Sequence, residues 1–159
     1  MHDLSKIIQI RNGKLKKASS VERVKQQKLD VTENKLRQAC QAIDDFSLEM
    51  QGLEKALLEG VLRKEVTAAD MMMIENILKE ASQQASKLVD EAKVVEQEID
   101  SCREALEDAR AKRITLNKRL DNITEVDQEM RSKARKQLLK TLGRKEQNAM
   151  DEAFMSGRA

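Results

Sequence analysis

The sequence contains no proline, no tryptophan and no tyrosine, and its only aromatic residues are Phe46 and Phe154. A compact core in a chain of 159 residues normally draws on aromatic side chains, each of which buries a large apolar area. Their scarcity argues against a globular core and for apolar residues laid along a thin seam. Without proline the strongest helix breaker is gone. The 36% of charged residues, with abundant Ala, Leu, Gln and Met, is the composition of long helices. No run approaches the roughly 18–20 apolar residues needed to span a bilayer, and the opening lacks the hydrophobic region of a signal peptide. A soluble, intracellular protein is the expectation.

Chemistry is missing in the same way. The single histidine, His2, lies at the terminus, and no glycine-rich phosphate loop or Cys/His cluster with metal spacing occurs. The two cysteines, Cys40 and Cys102, suggest neither a disulfide framework nor a metal site. No catalytic residue, no metal and no cofactor is therefore expected.

What is present is periodicity. One heptad frame runs through residues 4–60, with a positions Ile8, Leu15, Glu22, Leu29, Leu36, Ile43, Met50 and Leu57. Its d positions are Leu4, Arg11, Ala18, Lys25, Thr32, Ala39, Phe46, Leu53 and Gly60. A second frame has Met71, Leu78, Ala85, Ala92, Ile99, Leu106, Arg113 and Leu120 at a. It has Ile74, Ala81, Leu88, Val95, Cys102, Ala109, Leu116, Ile123 and Met130 at d, and decays through Asp127, Gln137, Thr141 and Arg144. Frames this long specify two long helices. Gly60 marks a place where a helix can end. Thr67 and Asp70 mark a start, the first by accepting from backbone N–H groups and the second by its charge in the first turn. Helix one is expected over about residues 3–59, a loop over 60–67, and helix two over 68–142 or beyond, with a C-terminal extension prone to fraying.

A short loop between long helices makes them antiparallel neighbours. The fold class is all-α: a single long antiparallel two-helix coiled-coil hairpin over residues 1–159. Pairing Leu57 with Met71 sets the register, puts Cys40 opposite residue 88 or so, and leaves helix two outrunning helix one after about residue 125.

Charge is segregated. Residues 1–28 hold eight Lys/Arg against Asp3 and Glu22, residues 29–100 hold 16 acids against eight bases, and residues 131–145 hold seven bases and no acid. In an antiparallel hairpin both basic segments lie at one end. Clustered bases invite nucleic acid, yet no aromatic is interleaved for base stacking and no groove-reading motif is present. A solvated helical face or a dock for an acidic protein is the better account.

Apolar residues off the seam add to this. Ile7, Ile10, Val21, Val24 and Val31 make a second stripe on helix one, interrupted by Lys14, Lys17 and Lys28. Met72, Met73 and Ile77 point away from the seam, and Leu138, Leu139, Leu142, Met150, Phe154 and Met155 fall beyond the stretch of helix two that helix one is expected to pair with. Exposed apolar clusters mark interaction sites, and Met adapts to varied surfaces. The competing account is a seam that shifts phase at its ends, or a terminal helix that folds back.

The chain resembles the YscO/FliJ-type central stalk of type III secretion systems, including CdsO of chlamydial systems. The likeness rests on length, a hairpin with both termini together, and a basic opening with Leu4, Lys6, Ile7, Ile10, Arg11 and Lys14. It extends to an Arg/Lys-rich late helix ending in Arg144, Lys145, Asp151 and Glu152. The resemblance implies a non-enzymatic stalk, similar to that of rotary ATPases, which docks on a hexameric secretion ATPase at the cytoplasmic face of the export apparatus. It also implies contact with an export-gate protein and escort of export chaperones. On that basis Ile7, Ile10, Arg11, Lys14, Lys133, Arg135, Lys136 and Lys140 are candidate ATPase contacts. Met72, Met73 and Ile77 are candidate gate contacts, at a position where flagellar members carry aromatics. The alternatives are a generic coiled-coil tether, a chaperone-like client binder and a nucleic-acid tether.

Overall fold

The computed structural model describes residues 4–63 and 65–157. They form two helices, α1 (Ser5–Arg63) and α2 (Ala68–Ser156), paired as an all-α helical hairpin. No strand occurs among the described residues.

The start of α2 is as expected, and its chemistry is reciprocal. The Asp70 backbone N–H donates to Thr67 Oγ1 at 3.2 Å, and the Thr67 N–H donates to Asp70 Oδ2 at 3.2 Å. Two backbone donors that the helix cannot satisfy internally are thereby satisfied by each other's side chains. Gly60 does not end α1, which continues to Arg63. With no phase-breaking proline nearby, the helix costs only the modest entropy of one interior glycine. The C-terminal extension is helical to Ser156, well past residue 142.

Cα packing divides the hairpin into two units, one of residues Val21–Arg110 and one of Met1–Ser20 with Ala111–Ala159. In the first, Leu29, Ile99, Cys102 and Leu106 form the buried cluster, with Leu36 and Val95 packed against it. All are seam positions. Thr32, a polar d residue, is tolerated there because its hydroxyl donates to the Lys28 carbonyl at 2.7 Å, inside its own helix. Its Oγ1 also lies 3.8 Å from Cys102 Sγ.

That contact corrects the expected register. Pairing Leu57 with Met71 would set Thr32 against Val95, whereas it faces Cys102, one heptad further along α2. The heptad pattern is unchanged by a slide of seven residues, so the same seams meet in either register. Cys40 is exposed, Cys102 is buried, and both are free thiols.

Candidate partner-binding surfaces

The loop-side surface lies in the Val21–Arg110 unit. Met71, Met72 and Met73 are 47%, 65% and 64% exposed. Ile77, expected off the seam with them, is half-buried, while the seam residue Leu78 is exposed. A 3.6-residue helix drifts against a seven-residue repeat by about 20° per heptad. Over the four heptads from Leu106 back to Leu78 the drift turns Leu78 outward and Ile77 inward. Ile77 is therefore a packing residue first, and the exposed surface is led by Met72 and Met73. Sequence reading overlooked Leu58 and Leu62 on α1, both exposed, Leu62 at 84%. Their signal was available: each is apolar and falls outside the a and d positions.

The other unit joins the opening of α1 to the last part of α2, and so holds the basic residues of both. Ile7 and Ile10 are exposed, and so is Lys14. Arg11 is half-buried and donates through Nη1 to the Arg119 carbonyl at 2.9 Å. It thus ties α1 to α2 as well as presenting charge. Along α2, Asp127 is the last half-buried residue, and every described residue from 128 to 157 is exposed. This stretch belongs to one uninterrupted helix, so the terminal segment does not fold back over the apolar residues of its own unit.

Within this overhang the side chains sort by face. Lys133, Lys136, Lys140 and Arg144, spaced three or four apart, share one face and line a shallow hollow with Gln137 and Thr141. Leu138 and Leu142 each sit two residues from Lys140, which places them on the far side of the helix. They are 61% and 48% exposed, and Leu139 beside them 61%. Arg135 is exposed as well.

No family model matches the chain, and neither a curated protein nor a solved structure matches it.

Two polar seam residues, Arg11 and Glu22, are tied across the helix pair. Glu22 Oε1 lies 3.5 Å from Arg110 Nε, and Arg110 Nη2 donates to Gln26 Oε1 at 3.1 Å. Glu33 and Arg103 approach to 3.8 Å further along. Among the described residues no group of three or more His, Cys, Asp or Glu side chains is placed to hold a metal ion, and no helix is long and apolar enough to cross a membrane.

Proposed function

We propose that the chain is a non-enzymatic stalk and coupling protein of a bacterial type III secretion apparatus. It binds the hexameric secretion ATPase through the unit that holds both termini-proximal segments, contacts the export gate through Met72 and Met73, and escorts export chaperones. Its place is the cytoplasm, at the inner-membrane face of the apparatus, and its role a contribution to virulence-type protein export. The observation that supports this most is the grouping of Ile7, Ile10, Lys14 and the basic overhang in one unit of a helical hairpin, with its cations and apolar residues exposed together. A surface of that kind suits an acidic protein partner with apolar contacts, and its association rate falls as salt rises.

The test is co-purification with the secretion ATPase of the same operon, using the full chain and one lacking residues 1–14. Retention that depends on those residues supports the stalk reading. Loss of binding by neither, or binding by neither at low salt, overturns it. The triple replacement of Ile7, Ile10 and Arg11 by Ala reports the same surface at finer grain. It is expected to weaken ATPase retention about tenfold or more while circular dichroism stays near that of the parent chain.

A generic tether or client-binding coiled coil is the second reading, favoured by the exposed Leu58, Leu62, Met72 and Met73. It predicts capture of several unrelated apolar peptides through the loop-side surface, and indifference to loss of residues 1–14.

A further inference from the structure

Within the Val21–Arg110 unit, α1 and α2 leave a groove of about 330 Å³ between them. It is lined by the half-buried Ile43, Phe46 and Met50 of α1 and Ala85 and Leu88 of α2, with exposed Val89, Ser47, Gln51 and Glu54 beside them. The α1 segment that forms it, residues 44–54, carries Asp44, Asp45, Glu49 and Glu54 and no Lys or Arg. An apolar slot in acidic surroundings selects an apolar anchor flanked by cations.

The chain itself owns such a segment. Residues 131–145 hold seven Lys/Arg and no acid, and Leu138, Leu139 and Leu142 stand exposed among them. We propose that this α2 overhang of one copy docks in the groove of a second copy, with Leu138 and Leu142 over Phe46, Met50 and Leu88, and with Arg135 and Lys145, three residues away on the same face, over the acidic segment. The occupant is a second copy, because the overhang continues the same uninterrupted helix that supplies Leu88 and Val89 to the groove. Pairing of overhang with overhang is opposed by its seven like charges on each side.

The two surfaces differ, so the contact is heterologous. A docked pair in which one groove and one overhang stay free adds further copies head to tail. The proposal is independent of the stalk reading. Where both hold, self-association and ATPase docking compete for the same overhang.

Sedimentation equilibrium of the full chain tests it, at about 50 mM and about 500 mM salt, across which screening of exposed charge tightens severalfold. At low salt the weight-average mass is expected to climb with concentration beyond a dimer of the 18.1 kDa chain, and at high salt to fall to the monomer. Two double variants, Ser47→Lys with Glu54→Lys in the groove and Leu138→Glu with Leu142→Glu in the overhang, change exposed or groove-edge positions and are expected to keep parental helicity. Each alone is expected to weaken association at least about tenfold. Mixed together they restore a single contact, groove of one to overhang of the other, and stop at a 1:1 dimer. A monomer at every salt and concentration overturns the proposal. So does a groove variant that still self-associates, or a mixture of the two variants that does not associate.

Discussion

Individual side chains in this hairpin bury little, and the exceptions carry most of the packing. Leu106 and Ile99 are each 4% exposed, and truncating either leaves a void that two helices cannot close from the sides. Leu106→Ala is expected to cost about 2–4 kcal/mol, read as a lowered urea midpoint by circular dichroism. A sharper residue-level test compares neighbours near the loop. Ile77 is half-buried and Leu78 is exposed. Ile77→Ala is therefore expected to destabilise by about 1–2 kcal/mol and Leu78→Ala by less than about 1 kcal/mol. Equal effects, or the reverse order, would return the seam to Leu78. Gly60 offers a test of opposite sign. It lies inside α1, no atom stands within 4 Å of a Cβ added there, and no glycine among the described residues has positive φ. Gly60→Ala is expected to stabilise by about 0.5–1 kcal/mol, seen as a higher melting temperature.

At the scale of the element, the helices are limited by their ends and joined by their register. The reciprocal bonds between Thr67 and Asp70 act as one device. Thr67→Ala and Asp70→Ala are each expected to cost about 1 kcal/mol, and the double variant clearly less than the sum. Register is set where Thr32 meets Cys102. Replacing Thr32 by Cys, with Cys40→Ser to remove the exposed thiol, places two sulfurs at disulfide range. Mild oxidation is expected to give an intrachain cross-link, read as faster migration on a non-reducing gel. The alternative register, with Thr32 beside Val95, would give none. The polar ties of Glu22 and Gln26 to Arg110 and of Arg11 to the Arg119 carbonyl also belong to this scale. Arg11 and Glu22 among them are polar seam positions, the kind that can select a register that apolar ones leave open.

For the whole molecule, what matters is which surfaces stay uncovered. Every described residue from 128 to 157 is exposed, so the overhang contributes almost nothing to hairpin stability. A chain ending at residue 130 is expected to melt within a few degrees of the full chain. It is also expected to lose both ATPase retention and the salt-sensitive self-association. A large drop in melting temperature would show that the overhang is packed, and would remove the reason for assigning it to a partner.

Most of the fold was legible in the residues alone. Heptad spacing names the face each helix buries, and from Leu29 to Leu57 every a and d position is buried or half-buried as its spacing requires. The Thr67 and Asp70 pair announced its helix start, and the basic and apolar residues of the overhang stood out because no seam position could use them. Three features needed the folded chain. The first is the axial register, because a repeat of seven maps onto itself when slid by one heptad. The second is the rotation of Ile77 inward and Leu78 outward, because drift between a 3.6-residue turn and a 3.5-residue repeat accumulates only over a real helix. The third is the groove over Phe46, Met50 and Leu88, which is made of two helices and exists only once the register decides which residues of α2 lie beside α1. Local pattern sets which side of a helix is apolar, and it is the interlocking of unlike side chains across the pair that decides where along its length each helix comes to rest.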